Sequence, residues 1–220
     1  MIQEGIGCVR MQRNIDGLIL DVDGTLWDST EIVAKAWTKA ALEYGCHHTA
    51  ITAERLKGLF GRTMEDIGKN LFPEYPEDKR KEILNQCCLY EHQALEEDEC
   101  QICYPDVIQT IQKLAAKVPI FIVSNCQSGY IELFLKKTGL TSFVKDIECF
   151  GNTGKTKGEN IRLVVERNRL RSAVYVGDTQ GDCDAAGEAG IPFIHVSYGF
   201  GRVHNSDREI NYFVELTEFI

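Results

Sequence analysis

Short apolar runs alternate with amphipathic stretches along most of the chain, and that alternation predicts strands and helices in turn. Gly17–Asp21 (Gly-Leu-Ile-Leu-Asp) is an apolar run ending in a carboxylate, which predicts a buried strand followed by a turn at Gly24. From Glu31 to Tyr44 the residues Ile32, Val33, Ala36, Trp37, Ala40, Ala41 and Tyr44 recur at helical spacing; Gly45 ends the run, and Ser29 or Thr30 can cap its start. Between about Thr52 and Glu99 helix follows helix, with starts at Thr52, at Thr63 (Asp66 three residues on) and at Pro76, and with no strand signal. The pattern then changes. Pro105–Lys117, Ser128–Gly139, Gly158–Arg169 and Asp182–Gly190 read as helices; Val118–Asn125, Phe143–Phe150, Ala173–Asp178 and Pro192–Val196 read as strands.

Strands that are apolar throughout and alternate with helices predict an α/β fold: a Rossmann-like parallel sheet with helices on both faces. The helical block after the first strand breaks the alternation and reads as an inserted α-helical cap subdomain. The expected division is therefore a core formed by residues 1–29 and 101–220, with a cap over residues 30–100.

Composition narrows the function classes. The chain has 220 residues, 44% hydrophobic and 26% charged, which fits one large domain or a core with an insert and excludes disordered or fibrous classes. Its net charge of −9 repels nucleic acid and anionic membrane, and no basic run offsets it. No apolar run approaches the roughly 18 residues of a membrane helix. Met1–Asn14 has no signal-peptide pattern. The expected compartment is the cytoplasm, and the role of Met1–Arg10 and the choice between monomer and dimer stay open. The cysteines number nine, an odd count, and the one Cys-x-x-Cys, Cys100 to Cys103, lacks a second pair at zinc spacing. They read as ordinary reduced thiols. Gly151–Thr156 resembles a nucleotide-binding loop, but only two residues separate its glycines where four are required.

Ligands of open parallel sheets bind beyond the carboxyl ends of the strands. Asp21-Val22-Asp23-Gly24-Thr25, Ser124-Asn125, Lys155 and Lys157, and Gly177-Asp178 with Asp182 would all reach that edge. Taken singly, each is as well explained as a turn former, a helix cap or a solvated lysine. Together they make a site. Several carboxylates near one point repel one another and call for a hard divalent cation such as Mg²⁺. A carboxylate is also a competent nucleophile at phosphorus. Gly24 would let backbone N–H groups approach a phosphate, while Ser124 and a lysine would donate to its oxygens.

These four motifs, in this order, resemble those of the haloacid dehalogenase superfamily of phosphatases. The resemblance spans about residues 16–200, and the position of the helical insert is similar to the phosphoglycolate phosphatase and β-phosphoglucomutase branch. It implies that Asp21 attacks phosphorus and that Asp23 protonates the leaving alcohol and then activates water. It also implies Mg²⁺ held by Asp21, the Asp23 main-chain carbonyl and Asp178, with Asp182 supporting that shell, and Ser124, Asn125, Gly24 and Lys157 around the phosphoryl group. Lys157 is preferred to Lys155 because it opens the next helix. Asp23 argues against a true dehalogenase, which has no alcohol to protonate. Gly177, where β-phosphoglucomutase-like members carry an acidic neighbour, leans toward hydrolysis. The cap would select the substrate, a small phosphorylated metabolite, and Arg62 is a candidate contact to a substrate carboxylate or second phosphate. Trp27 and Asp28 sit in an expected flap, where Asp28 can equally cap the next helix, and His47-His48 reads as surface. The expectation is a Mg²⁺-dependent phosphatase; a phosphomutase of the same fold and a non-catalytic phosphate-responsive protein are the alternatives.

Overall fold

The computed structural model describes residues 15–99 and 101–220. The expectations for Met1–Asn14 and for Cys100 lie outside the described residues. Six parallel strands form one sheet in the order β3-β2-β1-β4-β5-β6. They are β1 (Gly17–Leu20), β2 (Ile120–Ser124), β3 (Val144–Cys149), β4 (Ala173–Gly177), β5 (Phe193–Val196) and β6 (Arg208–Ile210). The α/β expectation therefore holds. Strand β1 is central and in register with both neighbours, Leu20 facing Ile122 on β2 and Val176 on β4. Each of β1, β2 and β4 is buried along its whole length, so its side chains serve two cores. Leu18, Leu20, Ile120, Ile122, Val174 and Val176 feed one face; Ile19, Phe121, Val123 and Tyr175 feed the other. This is why these strands carry no polar alternation.

The helices between strands are α5 (Val107–Ala115), α6 (Tyr130–Thr138), α7 (Phe150–Thr153), α8 (Lys157–Arg167) and α9 (Gln180–Ala189). Ile161 and Val164 of α8 and Ala185 and Ala186 of α9 close the second face, while Ile111 of α5 and Phe134 of α6 pack on the first. Between β1 and β2 lie four helices: α1 (Thr30–Glu43), α2 (Ala53–Lys57), α3 (Met64–Leu71) and α4 (Glu77–Glu97). Thr52 and Thr63 cap α2 and α3 through their hydroxyls, and Pro76 precedes α4.

Several boundaries differ from the sequence reading. Neither Ser29 nor Thr30 caps α1: the backbone at Ser29 is already helical and its side chain makes no cap. Asp28 takes that role, its carboxylate accepting from Thr30 N at 3.1 Å and Thr30 Oγ1 at 2.5 Å. Phe150 begins a helical turn rather than ending β3, and α9 starts two residues before Asp182, because Thr179 and Asp182 form a reciprocal capping box at its start. Strand β6 and the 3-10 turn Phe213–Glu218 follow the last element read from the sequence.

Candidate active site

Asp21 directly follows β1, Ser124 ends β2 and Asp178 directly follows β4, so three adjacent strands deliver them to one edge of the sheet. Lys157, the first residue of α8, meets them there: its Nζ lies 3.0 Å from Asp21 Oδ1 and 2.5 Å from Asp182 Oδ1. Lys157 is buried, whereas Lys155 is exposed and engages its neighbours through its backbone N–H to Thr153. One carboxylate oxygen from each of Asp21, Asp178 and Asp182 falls within 4.8 Å of the others. Burial, together with the neighbouring carboxylates, pushes Asp21 up to about 7 despite the lysine, and holds Asp178 well above the usual carboxylate range. Buried like charges with one cation among them leave negative charge for a further cation to balance.

The three carboxylates differ in what else they touch. Asp182 accepts from Lys157, from Asp178 N at 3.2 Å, and from Thr179 N and Oγ1 at 2.9 and 2.7 Å, so both of its oxygens are engaged by protein. Asp178 accepts from Phe200 N at 2.7 Å and, weakly, from Thr25 Oγ1 at 3.5 Å. Asp21 is flanked by Tyr175, whose hydroxyl lies 3.4 Å from it and donates to Val123 O at 2.8 Å. Gly24 has a reason other than approach to a ligand. Its N–H already donates to Trp27 O at 2.9 Å. Its φ is +80°, and a Cβ there would fall on the Asp178 carboxylate.

Asp23 is held by a different set of donors. Its Oδ1 accepts from Trp27 Nε1 at 3.1 Å, Ser29 Oγ at 2.8 Å and Tyr130 OH at 2.7 Å, and none of the described hydrogen bonds falls on Oδ2. Burial raises its pKa to about 6, against the three donors that stabilise the anion. One oxygen is thus anchored while the other is available to exchange a proton near neutral pH.

Residues 18–196 match the family model described as haloacid dehalogenase-like hydrolase. The chain belongs to that family. It is 25% identical over 188 residues to a phosphoglycolate phosphatase of Rhodobacter capsulatus, covering 83% of this chain and 84% of the relative. It is 26% identical over 192 residues to one of Agrobacterium fabrum, covering 83% and 80%. Among solved structures, a haloacid dehalogenase-like hydrolase family protein from Streptococcus pneumoniae has a TM-score of 0.81 at 21% identity, covering 93% of this chain and 98% of that one. A predicted phosphoglycolate phosphatase from Haemophilus somnus has a TM-score of 0.82 at 18% identity, covering 94% and 98%. The expected enzyme class, a phosphatase-type hydrolase of this superfamily, holds.

The helical block of this haloacid dehalogenase-like hydrolase forms the other wall of the site. Trp37, Phe60, Arg62 and Glu91 face Asp21, Asp23 and Ser124 across a cavity of about 30 Å³, space for little more than a water. Arg62 stands exposed on this wall. Asn125 reaches the block with one end of its amide: its Nδ2 donates to Gly61 O at 2.8 Å, and its buried Oδ1 has no partner among the described residues. Glu91 is missing from the sequence reading. It is buried, accepts from Trp37 Nε1 at 2.6 Å and Gln127 Nε2 at 2.9 Å, and is pushed up to about 8 by burial. Its helix carries little amphipathic signal, so nothing in the local pattern separates this glutamate from solvated neighbours such as Glu82 and Glu97. Tyr130, which holds Asp23, reads in sequence as one more apolar position of α6. No helix among the described residues is long and apolar enough to cross a membrane.

Proposed function

We propose that this hydrolase cleaves small phosphomonoesters through an aspartyl-phosphate on Asp21, with Mg²⁺ bound beside it. The observation that carries this reading is the meeting, in one buried pocket, of Asp21 against Lys157 and of Asp23 with a single uncommitted oxygen. The donor set suits Mg²⁺: it consists of carboxylate oxygens, their burial disfavours charge without a counter-ion, and no nitrogen or sulfur ligand competes among the described residues at the cluster. Asp21, Asp178 and the Asp23 main-chain carbonyl would hold the ion, which when bound supplies positive charge to the phosphoryl oxygens. Asp182, with both oxygens taken by protein, fixes Lys157 and the Asp178 backbone instead.

In the first step an Asp21 oxygen bonds to phosphorus as the ester P–O bond breaks. Asp23 Oδ2 gives its proton to the departing alcohol oxygen. In the second step the same Asp23 oxygen takes a proton from water, the water oxygen bonds to phosphorus, and the acyl-phosphate bond to Asp21 breaks. Lys157 and Ser124 donate to the phosphoryl oxygens through both steps. The helices of residues 30–100 act as a cap that moves to admit substrate and excludes water when closed. Arg62 at its rim would meet a carboxylate or second phosphate on the leaving group.

Gly177 favours hydrolysis over phosphoryl return to sugar. A Cβ there would lie 2.7 Å from the Asp182 Cβ, so no acidic neighbour fits beside Asp178. The curated relatives' name puts phosphoglycolate first in a substrate panel, followed by sugar phosphates, nucleotides and pyrophosphate. The test is phosphate release from that panel with Mg²⁺ and with chelator, for the wild type and Asp21→Asn. Mg²⁺-dependent release that Asp21→Asn abolishes is the expected result. Release that survives in Asp21→Asn rules out the aspartyl-phosphate route. An isomerised sugar phosphate without free phosphate identifies a mutase.

A further inference from the structure

A second cavity lies beside the catalytic one, between the helical block and the segments that follow β2 and β3. Its volume is about 350 Å³, against about 30 Å³ for the cavity at Asp21. Helices α3 and α4 contribute Met64, Leu84 and Cys88 to its lining, and the core contributes Gln127 and Phe150. Met64 and Gln127 line both cavities. The two spaces therefore share a wall, and two unbranched side chains form part of it. Methionine has three rotatable bonds. The Gln127 side chain has one described hydrogen bond, from Nε2 to Glu91 at 2.9 Å. Both side chains can turn aside while the backbone stays in place, which joins the two spaces.

The smaller cavity holds little more than a water, so the alcohol portion of an ester bound at Asp21 extends beyond it. The larger one is the adjoining space, and its chemistry is apolar. Leu84 is buried, and Met64, Cys88 and Phe150 are half-buried. Its charged lining residues are two acids, Glu65 and Glu77, and two bases, Arg80 and Lys81, so it offers an anion no net attraction. Glu77 pairs with Lys81 at 2.5 Å, and Glu65 with Lys69 at 2.6 Å. The catalytic cavity next to it already carries the carboxyls of Asp21, Asp23 and Glu91. A cavity of this size between two structural units, apolar with a few polar groups, suits an uncharged organic ligand.

We propose that this second cavity receives the leaving group of the ester, and that the substrate is a phosphomonoester whose alcohol carries an uncharged apolar body the size of a bicyclic ring. The inference rests on the hydrolytic reading above and adds to it the class of alcohol. A two-carbon leaving group would leave the cavity unused. Phenyl and 2-naphthyl phosphate test this, because their phenols are of similar acidity and differ in apolar surface. The second ring adds surface comparable to about two methylenes, so kcat/KM should favour the naphthyl ester by about tenfold or more.

The experiment measures kcat/KM of the full chain with Mg²⁺ for these two esters and, by calorimetry, the affinities of 2-naphthylmethylphosphonate and benzylphosphonate. The C–P bond of the phosphonates is not hydrolysed, so the second pair reads the cavity without turnover. Cys88→Trp places an indole in the cavity; Asn85→Trp does so from an exposed position of α4 and serves if the first variant does not fold. The expected result is a naphthyl preference of about tenfold in both pairs that drops to about twofold or less in the variants. A wild-type preference below about fivefold in both pairs, or one that persists in both variants, overturns the proposal. A naphthyl preference among the phosphonates that the variants remove, with no turnover of either ester, supports the cavity and counts against the hydrolytic mechanism instead.

Discussion

Glu91 offers a direct measurement of what a buried carboxyl costs this fold. It has no cationic partner among the described residues; Trp37 and Gln127 are its hydrogen-bond donors, and burial holds its pKa near about 8 against 4.5 for an unperturbed glutamate. The folded-state value is the raised one. Its contribution to stability is therefore most favourable below pH 4.5, where both states bind the proton, and is lost as pH rises to about 8. At about 1.4 kcal/mol for each pH unit between the two values, the loss by pH 9 is roughly 4–5 kcal/mol. Glu91→Gln keeps the shape and never ionises. Its carbonyl can accept from Trp37, and its amide can donate to Gln127 once that side chain turns its own carbonyl inward. Urea unfolding of both proteins in chelator from pH 5 to 9 isolates the effect, because the ionisations of Asp21, Asp23 and Asp178 are common to both and cancel. The variant should match the wild type near pH 5 and exceed it by several kcal/mol at pH 9. A difference that stays constant within about 1 kcal/mol across that range refutes the assignment of Glu91 as a buried, raised carboxyl.

Other predictions concern the lysine, the general acid and the metal. Lys157→Ala leaves Asp21 and Asp182 buried without their cation; phosphate release should fall ~10²–10³-fold, and urea unfolding should register a loss of about 3–5 kcal/mol. Lys155→Ala, at an exposed side chain, should leave both near wild type, and the reverse result would exchange the two lysines. Tyr130→Phe removes one of the donors that favour ionised Asp23, so the pH–rate profile of kcat should move to higher pH, which a purely structural role would not cause. In metal-free protein, Asp21 with its raised value contributes most stability below its ordinary 3.8 and loses it as pH rises toward about 7. Mg²⁺ competes with those protons, so the rise in melting temperature on adding it should grow from pH 4 to 7; a rise independent of pH would count against the carboxylate site.

The sheet was readable because β1, β2 and β4 are buried on both faces and write that burial as unbroken apolar runs. Edge strand β6 was not, since its three residues Arg208–Ile210 carry only one buried side chain, Ile210. The candidate catalytic groups Asp21, Ser124 and Asp178 were readable because they stand at strand ends, where periodicity stops and a polar residue stands out, and Lys157 because it opens the helix that follows. Their supports were not. Tyr130, Tyr175 and Glu91 each sit at positions whose local pattern is core or solvated helix, and only the tertiary arrangement turns their polar atoms toward Asp23, Asp21 and Trp37. Gly24 and Gly177 illustrate a middle case. The sequence marks them as glycines in a turn and at a strand end, but the reason is steric: the carboxylates of Asp178 and Asp182 occupy the space a Cβ would need.

Lys157 meets Asp21 across 136 residues of chain, and Thr25 meets Asp178 across 153. During synthesis Asp21 therefore leaves the ribosome long before any group that will face it. Until Lys157 and then strand β4 have been made, the nascent chain carries the first aspartate without either. Contacts this distant in sequence close last and slowly, after the local helices have formed. Turnover is in this sense a signature of a finished molecule: a truncated or half-folded chain can be helical, but it has nowhere to hold a phosphate.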